Sequence, residues 1–171
     1  MKTDHPLILT PRFADSDIEY FDRLRSEHFP SARNFLRAHL TMFHRLPGEY
    51  GEKIDATLED EMRCSGTFSV DVAALRHLGA GVAFTVTSEQ LSSVRARLKS
   101  AFLPWLGPQD LQKWQPHITV QNKVSRAAAD ALYVSLSTGF EPRGVEVLGL
   151  DLWRYLGGPW EHRMFYPFDE A

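Results

Sequence analysis

Cysteine is almost absent: the single Cys64 in 171 residues cannot close an internal disulfide, so no covalent staple holds this fold. Long apolar runs are missing too. The opening MKTDHPLILTP carries only four apolar residues in a row before Thr10 and Pro11, which fits neither a signal peptide nor a membrane span, and a cytoplasmic location is expected. Basic residues are in the minority, with 19 Lys and Arg against 22 Asp and Glu, so the formal charge is -3. Such a chain has no global field with which to hold a long nucleic acid by counterion release. No HExxH, no CxxC and no carboxylate–histidine cluster with ligand spacing is present, and neither a metal nor a cofactor is expected. Gly79, Gly81, Gly157 and Gly158 lie between strands rather than before a helix, so they read as turn residues and not as a phosphate-cradling loop. What remains is an ordinary folded composition, 43% hydrophobic and 24% charged, on a chain long enough to bury roughly 70% of its unfolded surface. Disorder and collagen are excluded.

The chain repeats at an offset of 78. His39, Thr41 and Arg45 of RAHLTMFHRLP fall on His117, Thr119 and Lys123 of QPHITVQNKVS, and the same offset brings Pro30 onto Pro108 and Gly66 onto Gly144. RHLGAG from Arg76 likewise falls on RYLGGP from Arg154. Apolar positions pair as well: Leu40 with Ile118, Met42 with Val120, Ile54 with Leu132, Val70 with Leu148. Chance alignment of an apolar-rich chain would account for the leucines alone, but not for matched His, Thr and Gly.

Period-2 and period-3.6 patterns, with Gly and Pro as punctuation, predict strands at about 7–12, 39–45, 67–77, 82–87, 117–123, 145–156 and 160–168. Helices are predicted at about 15–27, starting on Asp15 or Ser16, at 51–64, from Ser88 or Ser92 to about Phe102, and after a Ser125 cap. The order of the first half recurs in the second. The expectation is an α+β chain of two similar lobes related by a pseudo-twofold repeat. With no linker in view, residues 1–171 form a single bilobal domain whose halves span about 30–87 and 108–168.

Within a strand, residues i and i+2 share a face. His39 and Thr41 therefore point together, followed by Phe43 and Arg45, while Leu40 and Met42 face the core. The second copy presents His117, Thr119, Gln121 and Lys123 opposite Ile118 and Val120. A pseudo-twofold would then set two imidazoles on either flank of one bound group. In-line cleavage of a phosphodiester needs a base on the attacking oxygen and an acid on the leaving one, and histidine titrates near neutrality and serves as either. The hydroxyls can donate to the non-bridging oxygens. Taken singly, each His is equally well a satisfied strand-end histidine and each Thr a packed β-former; two copies at the repeat offset are what give the pattern weight.

The paired HLTM at 39–42 and HITV at 117–120 resemble the signature of the two-histidine phosphoesterase superfamily, in particular its bacterial 2′-5′ RNA ligase-like branch, over nearly the whole chain. That resemblance implies an α+β fold of two mostly antiparallel sheets facing across a central cleft, helices outside, with one His-x-Thr from each, and metal-independent hydrolysis of 2′,3′-cyclic or 2′-5′ linked phosphates at RNA or nucleotide ends, reversible as ligation in some members. It implies His39 and His117 as the acid/base pair, and Thr41 and Thr119 as phosphate-binding hydroxyls. The expected partner is a small nucleotide or an RNA end carrying a cyclic phosphate, and the expected state is a monomer.

Softer candidates complete the site. Trp153 and Tyr155 lie on the cleft-facing parity of the late strand, matched by Leu75 and His77, and Tyr155 is the expected base platform. Arg45, Lys123, Gln121 and Phe43 are substrate-binding candidates by their strand face. Arg76 and Arg154 share parity with core residues and are assigned to a turn or salt bridge. His5, His28, His44 and His162 are read as structural or exposed, Cys64 as a small buried apolar side chain. The loop 103–116, with Trp105 and Trp114, is either a lid or a packed connection. The competing reading is a non-catalytic module that binds a nucleotide or RNA end on the same scaffold.

Overall fold

The computed structural model describes residues 5–169; Met1–Asp4 of the amino-terminal segment, and the last two residues, lie outside the described residues. The strands are β1 (Leu7–Phe13), β2 (Phe43–Leu46), β3 (Phe68–His77), β4 (Val82–Thr87), β5 (His117–Gln121), β6 (Arg143–Tyr155) and β7 (Trp160–Pro167). The helices are α1 (Asp15–His28), α2 (Gly51–Cys64), α3 (Glu89–Phe102), the single turn α4 (Pro108–Leu111) and α5 (Arg126–Ser137). The fold is α+β, as expected. Ser88 and Ser125 cap α3 and α5, accepting from Leu91 N and Ala128 N at 3.1 Å each. At α1 the cap is Ala14, not Asp15 or Ser16; Asp17 instead accepts from the Glu146 amide at 2.8 Å and ties the first turn to β6.

Hydrogen bonding joins the seven strands into one antiparallel sheet, rather than the two expected, in the order β2-β1-β6-β3-β4-β5 with β7 also on β6. The reason is the length of β6. Its amino-terminal part pairs with β3 through Arg143–Val147, and its carboxy-terminal part pairs with β7 on that edge and with β1 on the other, so one strand serves both groups. Exchanging β1, β2 and β3 for β4, β5 and β6 leaves the six-strand order unchanged.

Helices α1 and α5 pack on the sheet against β5 and β3, and α2 against β6, β7 and α3. Leu40, Met42, Ile118 and Val120 are fully buried, anchoring both His-x-Thr segments from behind. Gly81 is required by contact: an added Cβ would meet the Gln121 carbonyl oxygen at 1.9 Å, where the β3–β4 turn lies against the end of β5. Gly79, at φ 86°, supplies that turn's left-handed residue.

Candidate active site

His117 and Thr119 project from β5 as alternation predicts. His39 and Thr41 lie just before β2, in extended chain tied to β1 by the Met42 amide donating to Leu9 O at 2.8 Å, so the expected strand starts four residues late. All four side chains line one cavity of about 300 Å³. Both imidazoles are anchored alike: Nδ1 of His39 donates to Arg37 O, and Nδ1 of His117 to Gln115 O, each at 2.7 Å and each to the residue two back. A carbonyl only accepts, so this contact fixes the tautomer and leaves each Nε2 as an acceptor in the free protein. Among the described residues neither threonine hydroxyl has a protein partner, and both are available to a ligand.

Burial pushes His39 down to about 4, against the pull of the Arg37 carbonyl and with help from the charges of Arg25, His117 and His44. Burial lowers His117 too, with Arg76 and His44 adding to it. Both imidazoles are therefore neutral near pH 7 until an anion arrives to favour an imidazolium.

Two buried arginines, one on α1 and one on α3, hold the paired segments. Arg25 of α1 donates through Nη1 to Thr119 O at 3.1 Å, and Arg95 of α3 donates through Nε to Met42 O at 3.1 Å and through Nη2 to Asp110 O at 2.9 Å. The loop 103–116 forms a wall of the cavity, pinned by the Trp114 indole donating to Thr41 O at 3.1 Å and by buried Asp110.

Beyond Met42 the alternation breaks. Leu7 and Leu9 of β1 pair with Leu46 and Phe43, so β2 carries one residue more than its partner over that interval, a bulge. It turns Phe43 into the core, fully buried against Phe102, and brings His44 to the cavity, where Nδ1 lies 3.0 Å from Asp110 Oδ1. Phe43 is thus not a substrate contact, and His44, read from parity as structural or exposed, lines the site. A second register shift, at Val72/Ala74 of β3, reverses parity again. Leu75 packs on the core and His77 pairs with Asp130 of α5, while Arg76 faces the cavity with Nη1 3.5 Å from His117 Nδ1. Only register, which sequence does not display, reveals these exchanges.

The other softer candidates lie elsewhere. Gln121 is buried beneath the surface, outside the cavity lining. Lys123 is exposed in the turn after β5, at φ 59°, its amide bonded to Asn122 Oδ1. Arg45 is exposed on β2, giving its amide to Asp110 rather than its guanidinium to the cavity. Tyr155 sits at the exposed end of β6. The aromatic surface beside the histidines comes instead from Trp160, whose ring centroid is 4.6 Å from that of His39, and from Trp153, 6.1 Å beyond it. These indoles line a larger, more apolar cavity of about 620 Å³ that shares His39 with the first. Trp153 is legible by parity; Trp160, after the Gly157-Gly158-Pro159 turn, carries no motif.

Among the described residues no group of three or more His, Cys, Asp or Glu side chains converges as a metal ligand set, and no helix is long and apolar enough to cross a membrane. The family model described as the 2′-5′ RNA ligase superfamily matches residues 13–159. No curated protein matches the sequence. Among solved structures, TT0787 of Thermus thermophilus superposes with a TM-score of 0.68 at 14% identity, covering 97% of this chain and 99% of that one. E. coli LigT complexed with 3′-AMP superposes with a TM-score of 0.63 at 16% identity, covering 96% and 98%. These identities speak for the fold alone. LigT has also been crystallised with ATP and with NADP+.

Proposed function

The chain belongs to the 2′-5′ RNA ligase superfamily, and from that premise we propose that it is a phosphodiesterase acting on 2′,3′-cyclic phosphate or 2′-5′ linked ends of small nucleotides or RNA, with His39 and His117 as its acid/base pair. The observation that carries this reading is the matched anchoring of two free Nε2 atoms and two free threonine hydroxyls in one cavity of nucleotide-phosphate size. One imidazole takes a proton from water as its oxygen bonds to phosphorus. The bond from phosphorus to the leaving ribose oxygen breaks, and the other imidazole, as imidazolium, protonates that oxygen. Charge that builds on the non-bridging oxygens is met by Thr41 and Thr119, with Arg76 near His117. A ribose 5′-hydroxyl in place of water attacks the same cyclic phosphate, the 3′-oxygen leaves and takes the proton, and a 2′-5′ linkage forms. Bound phosphate supplies the negative charge that offsets the burial of one imidazole and lets it carry the proton. Trp160 and Trp153 offer the base a stacking face next to His39, and the nucleotides found in LigT crystals fit a ligand of that kind.

The test is turnover, with EDTA present, of 2′,3′-cyclic nucleotides and of a short RNA ending in a 2′,3′-cyclic phosphate, by wild type, His39→Ala and His117→Ala. Both variants are expected to lose at least about a hundredfold in kcat/KM, the scale of general acid–base catalysis. Wild-type rates in either variant contradict the mechanism. A nucleotide that raises Tm without being turned over replaces it with the binding-module reading.

A further inference from the structure

Three imidazoles, not two, line the 300 Å³ cavity, and the third is held differently. His39 and His117 each lean on a neutral carbonyl, whereas His44 gives Nδ1 to the carboxylate of Asp110 at 3.0 Å. Asp110 is 2% exposed and also accepts the amides of His44, at 2.9 Å, and Arg45, at 3.0 Å. Burial works against its charge, but these hydrogen bonds more than offset it, and its carboxyl is held below the usual range. Arg95 fixes Asp110 from behind through the backbone carbonyl. The β2 bulge is the device that delivers His44 to this partner, and at the repeat offset the second half has only Asn122, so nothing in the paired motif requires a histidine here. A carbonyl partner orients an imidazole; a carboxylate partner also favours its cationic form.

We propose that His44 is a substrate-touching residue of this site, an imidazolium whose Nε2–H donates to a non-bridging oxygen of the bound phosphate, with Asp110 as its positioning residue. The proposal rests on the cavity's being the phosphate site described above. No proton leaves His44 during turnover: the phosphate gains negative charge as water attacks, and His44 meets that charge while His39 and His117 exchange the protons. The charged and titratable groups facing it are Asp110 from α4, Arg95 from α3, His39 before β2, His117 from β5, Arg76 from β3 and Lys113 after α4. Asp110 alone favours its charge; the cations oppose it, and the anionic substrate completes the balance. Division of labour follows: the carbonyl-anchored pair exchanges the protons, and the carboxylate-anchored third holds the phosphate oxygen.

Sulfate holds a constant charge between pH 5 and 8 and serves as the probe. Its Kd is measured by calorimetry across that range for wild type, His44→Gln, Asp110→Asn and His77→Gln, the last being a histidine paired with an aspartate away from the cavity. Loss of sulfate affinity with rising pH is expected in wild type. His44→Gln should weaken binding by about tenfold or more at pH 6, the scale of one charge-assisted hydrogen bond, and make the pH dependence shallower, the remainder belonging to His39 and His117. Asp110→Asn should move the loss to lower pH, and His77→Gln should match wild type. Sulfate binding by His44→Gln with wild-type affinity and pH dependence overturns the proposal, even if Asp110→Asn fails to fold. Because this readout needs no turnover, a wild type that binds sulfate through His44 yet hydrolyses no cyclic phosphate would overturn the proposed reaction and leave His44 assigned.

Discussion

His39 and His117 reach the same tautomer by the same contact, a carbonyl two residues back, and that identity of anchoring is finer than the paired motif could display. The motif residues themselves were legible because alternation alone delivers residues i and i+2 to one face. Phe43, Gln121, Lys123 and Arg45 were not separable from them by parity, since the bulge in β2 and the end of β5 act after the last threonine of each motif. Tyr155 is the platform that strand parity makes visible, whereas the fold of a Gly-Gly-Pro turn that carries Trp160 onto a neighbouring histidine is not displayed in sequence. Trp160→Ala should raise KM for a cyclic nucleotide by about tenfold or more, the cost of one lost base–aromatic stack, with Tyr155→Ala within about twofold of wild type in steady-state kinetics. The opposite ranking would return the base to Tyr155.

At the scale of elements, the support for each His-x-Thr segment comes from a helix distant from it in sequence. Arg25 on α1 holds the backbone of β5, and Arg95 on α3 holds the chain entering β2. Helix positions were readable from periodicity and capping serines. The two arginines were not, because a helical arginine reads as solvated unless the carbonyls it serves are known. Arg95→Met keeps the packing over Phe43 and removes both donations, stranding the carbonyls of Met42 and Asp110 in the interior. The variant should lose about 2–4 kcal/mol of stability in denaturant unfolding, together with most of its turnover. A wild-type midpoint in Arg95→Met would show that these carbonyls find other donors.

Over the whole molecule, the expected pair of sheets is one sheet because β6 is long enough to pair with β3, β7 and β1 at once; its span is legible from alternation, but the strands it pairs with are not. The strand order is unchanged when β1, β2 and β3 are exchanged for β4, β5 and β6, and the packing of α1 on β5, with Arg95 of α3 on the chain entering β2, holds the two motifs at one cavity. That convergence has a thermodynamic cost. His39 titrates at about 4 in the fold, against an ordinary value of 6.5, so below pH 6.5 the unfolded chain binds the proton better. Stability is therefore retained above pH 6.5 and lost as pH falls toward 4. Scanning calorimetry should find a smaller drop in Tm between pH 7 and pH 5 for His39→Gln than for wild type; an equal drop would place the acid sensitivity elsewhere.

The most direct test of the two-histidine site is the pH dependence of kcat/KM for a 2′,3′-cyclic nucleotide in EDTA, for wild type and for each single histidine variant. Wild type should give a bell lying on the acid side of pH 6.5, because both imidazoles titrate low in the free protein, and the two limbs should belong to the coupled pair. His39→Ala and His117→Ala should each retain a slow rate from which one limb has gone. A bell that survives intact in either variant would contradict the account, since the proton donor and acceptor would then not be these two imidazoles.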